Sequence, residues 1–117
     1  MNGKNKDCIF CKIIAGEIPS EKIYEDDKIF AFYDINPVAP VHVLIIPKIH
    51  IESLNGVNPE NIGYVARILE KTPEIAKSAG IFESGYRVVT NIGDNGQQSV
   101  LHLHFHLIGG RKLTWSF

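Results

Sequence analysis

The sequence predicts an α+β fold: about five mostly antiparallel strands with one long helix and a short N-terminal helix, the helices grouped together. Three observations carry that expectation. The run from Leu101 to Ile108 alternates apolar side chains with His102, His104 and His106 at the strand period of two. Val41 to Pro47 is rich in β-branched residues, as central strands are. Asn58 followed by Pro59 has the residue chemistry of a helix N-cap and first position, and an approximate apolar stripe follows.

Taken in order, Cys8 to Ile14 is short and apolar and reads as a helical turn, ended by Gly16 and Pro19. Lys22 to Ile35 reads as a hairpin around the acidic turn at Asp26 and Asp27. Asn36 to Pro40 contains Pro37 and Pro40 and must be a loop. The Val41 to Pro47 strand leads into a basic turn, Lys48 to His50. The long helix opens at Asn58, with Ile62, Val65, Ala66, Leu69, Ala76 and Ala79 on its stripe. Pro73 falls inside it and is expected to kink or split it, because proline lacks the backbone donor and clashes with the preceding turn. Gly80 suits the terminus. Tyr86 to Asn91 and Leu101 to Ile108 supply the last strands, joined by the loop Ile92 to Ser99.

With 117 residues, 44% of them hydrophobic, and a net charge of −1, the chain is expected to form one domain over residues 1–117. A near-neutral charge without a basic cluster gives no electrostatic reason to expect nucleic acid or an anionic membrane as partner. Small molecules are the expected partners. The start MNGKNKD lacks a signal-peptide apolar run, and no stretch approaches the ~18 apolar residues of a membrane span. The chain reads as cytoplasmic.

On a strand, His102, His104 and His106 would project from one face while Leu101, Leu103, Phe105 and Leu107 project from the other. Solvation alone does not need imidazole there, since Thr, Lys or Glu would serve. An imidazole with a reference pKa of about 6.5 can act as nucleophile, general acid or base, or metal ligand. Cys8 and Cys11, the only cysteines, have the spacing of a metal half-site or a redox pair. No strand precedes them, which weakens the redox reading. A tetrahedral zinc site needs two further ligands, and His50 and one of the three strand histidines are available.

The stretch Ser99-Val-Leu-His102-Leu-His104-Phe-His106-Leu-Ile-Gly-Gly-Arg111 resembles the histidine triad (HIT) signature, most closely in its Hint-like, purine nucleoside phosphoramidase branch. CIFCKIIAGEIPS, FAFYDINPVAPVHVLIIPKIHI and GYRVVTN fall in the order of that family. The resemblance implies a HIT-like fold, a homodimer, and a purine nucleoside monophosphate bound with its phosphate against the triad. It makes His104 the nucleophile that forms a nucleotidyl-histidine, with His106, Ser99 and Asn91 around the phosphate or leaving group. It matches Asp34 with the carboxylate that receives the ribose hydroxyls, and Ile9, Phe10, Ile13, Ile18, Phe32 and Ile35 with the walls around the base. His42 falls beside the nucleophile. Zinc-containing members place their ligands at the positions of Cys8, Cys11, His50 and His102.

Two departures from the family pattern stand out. The phosphate loop, with Gln98 among its binding positions, reads Gly96-Gln97-Gln98 where close relatives usually have a central glycine. The tail from Lys112 to Phe117 is short and aromatic, and in relatives such a tail can reach the partner subunit's site.

The leading expectation is hydrolysis of the P–N bond of purine nucleoside phosphoramidates, with aminoacyl-adenylates as further substrates. Within the superfamily the alternatives are a dinucleoside polyphosphate hydrolase or a nucleotidyltransferase, the latter disfavoured because its branch carries Gln in place of the third histidine. From other classes come a non-catalytic zinc or nucleotide-binding adaptor, and a metalloenzyme using all three triad histidines on one metal.

Overall fold

A computed structural model describes residues 7–115. Its strands β1 (Lys22–Glu25), β2 (Ile29–Tyr33), β3 (Val41–Pro47), β4 (Tyr86–Val89) and β5 (Phe105–Gly109) form one sheet. Their order is β1-β2-β3-β5-β4, and every neighbouring pair is antiparallel. Helix α1 (Ile9–Ile14) and helix α2 (Ile62–Ser78) lie on opposite faces of the sheet rather than grouped on one.

Side-chain alternation makes both faces apolar and gives each its own core. On β2, Ile29 and Ala31 join the α2 side while Phe30 and Phe32 join the α1 side. On β3, Val43 and Ile45 go to α2 and Leu44 and Ile46 to α1. Leu103, Phe105 and Leu107 continue the α2-side core.

The acidic turn between β1 and β2 is held by Asp26. Its Oδ1 accepts from the backbone N–H of Lys28 (2.8 Å) and Ile29 (3.0 Å), and its Oδ2 from the Tyr24 hydroxyl (2.9 Å) and Arg67 of α2 (3.0 Å). Burial pushes this carboxyl up, but those donors outweigh burial and hold it at about 2.

Several elements differ from expectation, each for a local reason. The triad strand begins at Phe105 rather than Leu101. The ladder stops there because the His102 ring takes the Pro47 carbonyl (3.0 Å) and Leu103 donates its N–H to the Ile51 carbonyl (2.6 Å). Leu101, expected on the apolar face, is 60% exposed. β4 ends at Val89 rather than Asn91; one residue on, the Thr90 hydroxyl donates to the His104 carbonyl at 2.8 Å.

Helix α2 starts at Ile62 rather than after Asn58. Asn58 Oδ1 accepts from the N–H of Glu60 and Asn61, and Asn61 Oδ1 accepts from the N–H of Asn58, so the first turn closes on itself before the helix begins. The buried stripe is Val65, Ile68, Thr72, Ile75 and Ala76, whereas Ile62, Ala66 and Leu69 face outward. Pro73 lies within an unbroken helix. The carbonyl it leaves without a donor belongs to Leu69, on the solvent side where water can serve.

Among the described residues, no helix is long and apolar enough to cross a membrane.

Candidate active site and metal centre

Two clusters lie on the α1 side of the sheet, and His102 to His106 supply both. Alternation persists through the non-ladder part of the run, so the three imidazoles share one face even though only His106 lies in β5. Phe10 of α1 meets His102 and His104 edge-on, with ring centroids 5.8 and 5.0 Å apart.

The hydrogen bonds fix which nitrogen of each ring carries the proton, because a carbonyl can only accept and a backbone N–H can only donate. His104 Nδ1 donates to the His102 carbonyl at 2.7 Å, leaving its Nε2 lone pair free. Val38 N–H donates to His42 Nδ1 at 3.2 Å, so His42 carries its proton on Nε2 and donates to His106 Nδ1 at 2.9 Å. His106 therefore bears its proton on Nε2. One ring of the site offers a nucleophilic nitrogen and its neighbour an N–H donor.

Burial is the largest influence on the three rings of this cluster, His42, His104 and His106. It pushes His106 down to about 4, helped by neighbouring His104 and His42 and opposed by Asp34. His104 is lowered by burial against the opposing bond to the His102 carbonyl, and His42 by burial against Asp34. At neutral pH these imidazoles are uncharged, the form a nucleophile requires.

A cleft of about 430 Å³ opens over these rings. Its walls include Ile9, Phe10, Ile13, Ile18, Phe32 and Ile35, together with Asp34, His42, Ser99, His104 and His106. Asp34 sits just beyond β2, half-buried, with Oδ1 accepting from the Asn36 N–H (2.8 Å) and Oδ2 lying 3.5 Å from His42 Nε2.

Two of the expected nucleotide contacts stand apart from the cleft walls. The Asn91 amide donates to the Gly96 carbonyl (2.7 Å). The Gln98 side chain accepts from the Gly93 N–H and donates to the carbonyls of Glu52 and Val100, lacing the loop together. Gln97 adopts a left-handed φ of 64°, so the loop keeps the conformation a glycine would favour there. Gly110 has φ 95°, and a Cβ at that position would come within 2.8 Å of Pro40 Cβ, which accounts for a glycine after the triad.

Leu44, Val38 and Val100 also line the cleft and were not anticipated. Leu44 could have been found, since it lies two residues from His42 on one strand and therefore shares its face. The loop residues carried no such signal.

The second cluster gathers Cys8, Cys11, His50 and His102, whose ligand atoms all lie within 4.8 Å of one another. Cys8 precedes α1 and its Sγ accepts from the Cys11 N–H (3.3 Å), the turn that brings both thiols together. His102 donates from Nε2 to the Pro47 carbonyl, so its Nδ1 lone pair faces Cys8 Sγ at 3.2 Å and Cys11 Sγ at 3.5 Å. Cys11 Sγ lies 3.4 Å from His50 Nδ1. Zn–S bonds of about 2.3 Å and Zn–N bonds of about 2.0 Å would set sulfur and nitrogen roughly 3.5 Å apart in a tetrahedron. The four residues therefore fit a metal ion, and the carbonyl behind His102 is the kind of partner that orients a metal-bound imidazole.

The exposed Trp115 lies over the Arg87 guanidinium, 5.8 Å from ring to charge centre. Phe117, at the end of the aromatic tail, lies outside the described residues.

The HIT domain family model matches residues 15–113. Protein HitA of Neisseria gonorrhoeae is 47% identical over 102 residues, covering 87% of this chain and 94% of that protein. The purine nucleoside phosphoramidase of Escherichia coli strain K12 is 46% identical over 108 residues, covering 92% and 91%. Among solved structures, a histidine triad protein from Clostridium difficile superposes with a TM-score of 0.93 at 46% identity, covering 97% of this chain and 99% of that one. A HIT family hydrolase from Legionella pneumophila Philadelphia 1 gives 0.88 at 49% identity, covering 92% and 96%.

Proposed function

The chain belongs to the HIT domain family, and from that premise we propose that it hydrolyses the P–N bond of purine nucleoside phosphoramidates through a nucleotidyl-histidine intermediate. The observation that carries this reading is the His104 tautomer: Nδ1 is spent on the His102 carbonyl, and Nε2 is left as a lone pair on a ring that lines the cleft. An imidazole held this way is prepared for nucleophilic attack at phosphorus.

The nucleoside would lie between α1 and the loop after β2, its base among Ile13, Ile18 and Phe32 and its ribose hydroxyls on Asp34. His104 Nε2 forms the new bond to phosphorus as the P–N bond breaks. His106 Nε2–H and Ser99 face the transferring group and stabilise charge as it develops there. His106 Nε2–H would give its proton to the departing amine nitrogen, and the water that later bonds to phosphorus, displacing His104 Nε2, would return that proton to His106. Asn91 and Gln98 would act by holding the loop that carries Ser99.

Cys8, Cys11, His50 and His102 would hold one zinc ion in a closed four-ligand site. When bound, it supplies structural cross-linking between α1 and the triad segment. The protein is proposed to act as a homodimer, a reading supported by β4 forming one edge of the sheet and by the exposed side chains of Val88 and Trp115 near that edge.

The test is turnover of adenosine and guanosine phosphoramidates beside a dinucleoside polyphosphate, with acid quench and mass spectrometry. Phosphoramidate hydrolysis with a nucleotidyl adduct on the His104 peptide is expected. Faster dinucleotide cleavage, or turnover without that adduct, would overturn the assignment.

A further inference from the structure

Gly109, Gly110 and Arg111 follow the triad directly, and both glycines stand where a side chain has no room. A Cβ on Gly109 would come within 3.1 Å of Ile81 Cδ1, and one on Gly110 within 2.8 Å of Pro40 Cβ. With Gly110 at a left-handed φ of 95°, the chain turns back against the loop that ends at Pro40. That turn brings Arg111 to Val38, 73 residues away in sequence. Arg111 is exposed, and an exposed arginine ordinarily serves a surface ion pair or solubility. Among the described residues it forms no ion pair. Its guanidinium donates instead to two main-chain carbonyls, that of Lys112 at 3.1 Å and that of Val38 at 3.2 Å. A planar fork of several donors can hold two carbonyls at once, which an ammonium on a flexible stem does less well.

At Val38 this contact meets the site. The Val38 side chain is 61% exposed where it lines the cleft, so apolar burial does little to hold it in place. Pro37, directly before it, has no N–H with which to anchor the loop. Yet the Val38 N–H supplies the bond to His42 Nδ1 (3.2 Å) that keeps the His42 proton on Nε2, and His42 donates that proton to His106 Nδ1 (2.9 Å). Asp34 Oδ2 favours the same His42 tautomer, but at 3.5 Å from Nε2 it lies at the limit of hydrogen-bond distance and is the weaker support.

We propose that Arg111 is a positioning residue: by holding the Val38 carbonyl it keeps the Val38 N–H on His42 Nδ1, and so sets which nitrogen of His106 carries the proton that faces the leaving group. The final step, from His106 to the leaving group, rests on the P–N reading above, whereas control of the two tautomers does not. His104 lies outside this chain of bonds, because its Nδ1 is held by the His102 carbonyl. It therefore serves as an internal control.

Two measurements on Arg111→Ala test it. The first is nitrogen–proton correlation NMR of protein carrying isotope-labelled histidine, at neutral pH, where protonated and bare ring nitrogens differ in shift. The wild type should show His42 and His106 protonated on Nε2 and His104 on Nδ1. In Arg111→Ala the first two should become mixtures of tautomers while His104 keeps its own, and Arg111→Lys, which retains a donor, should fall between. The second measurement compares two substrates. One is an adenosine 5′-phosphoramidate of an alkylamine, whose nitrogen must take a proton as it leaves; the other is adenosine 5′-(4-nitrophenyl) phosphate, whose leaving group departs as a stable anion. Arg111→Ala should lower kcat for the first roughly tenfold, a fraction of what a general acid contributes, and leave the second within about twofold. Unchanged His42 and His106 tautomers overturn the proposal. An equal fall on both substrates also overturns it, since that is the result of a loosened cleft wall at Val38. If the wild type does not turn over the alkylamine compound, the P–N reading fails, and the spectra alone decide the role of Arg111.

Discussion

The two faces of the sheet are made by the same strands and covered very differently. Seventeen residues of α2 cover one face, and its core of Ile29, Val43, Ile45, Ile68, Ile75 and Leu107 is closed. Six residues of α1 cover the other. They bury Phe30, Leu44 and Ile46 but leave the cleft over His104 open. Stability is concentrated beneath the long helix and chemistry beside the short one, and adjacent residues of a single run serve each. A short cover exposes imidazoles to a ligand while still removing enough water to keep them neutral.

The sharpest test of this division compares two residues three positions apart. His104→Ala should lower turnover on the order of 10⁴-fold or more, as loss of a covalent nucleophile does, while shifting the thermal midpoint little. Leu107→Ala should cost about 2–5 kcal/mol of stability by opening a cavity in the α2-side core, and leave turnover of the folded fraction nearly intact. Paired kinetics and denaturant titrations check both. Equal loss of stability in the two variants would break the comparison.

Removal of metal comes next. Chelation should destabilise by about 4 kcal/mol if the site is normally filled at a thousandfold above its dissociation constant, and Cys11→Ser should reproduce much of that loss. Elemental analysis with differential scanning calorimetry checks it. A protein carrying no metal after purification without chelator, with a midpoint indifferent to chelators, would leave α1 held by its apolar contacts alone.

Acid should separate the two faces by pH window. His106 is held at about 4 and His42 below its ordinary value, so both bind fewer protons folded than unfolded between about 6.5 and their folded values. Their contribution is fully present above about pH 6.5 and is lost as pH falls through the folded values. Asp26, at about 2 in the fold, contributes stability above about pH 3.9 that disappears only as pH falls towards 2. Stability measured against pH should therefore decline in two stages, and His106→Asn should flatten the first. A single decline below pH 4 in the wild type would contradict the neutral-imidazole assignment.

The smallest effect concerns the phosphate loop. Gln97→Gly relieves a left-handed φ that costs a side-chain-bearing residue roughly 1–2 kcal/mol, offset in part by the extra freedom glycine has when unfolded. A gain below about 1 kcal/mol is expected, read by chemical denaturation. A clear loss would show that the Gln97 side chain supports the loop.

The alternation of His102, His104 and His106 with Leu103, Phe105 and Leu107 was sufficient to sort those residues between the faces, because extended backbone alternates whether or not it is hydrogen-bonded into a sheet. The two cysteines and the spare histidines suggested a metal centre for a similar reason: few other roles need that donor set. Less was legible where backbone groups compete for partners. The start of the β5 ladder depends on His102 taking the Pro47 carbonyl, and the start of α2 on a reciprocal Asn58–Asn61 pair. Neither choice has a periodic signature. Pro73 was expected to disturb its helix and sits in an unbroken one, because its effect depends on whether the abandoned carbonyl faces water.

By itself, the sequence determined the α+β class, the strand faces and the residue types of both clusters, all of which follow from period, spacing and side-chain chemistry. Tertiary structure alone decided the tautomers of His42, His104 and His106, since each depends on a carbonyl or N–H brought from elsewhere in the chain. It also decided that the helices lie on opposite faces and that Arg111 reaches the Val38 carbonyl. The physical reason is one of range: periodicity is a property of neighbouring residues, whereas proton placement and empty space depend on atoms far apart in sequence that folding brings within a few ångströms.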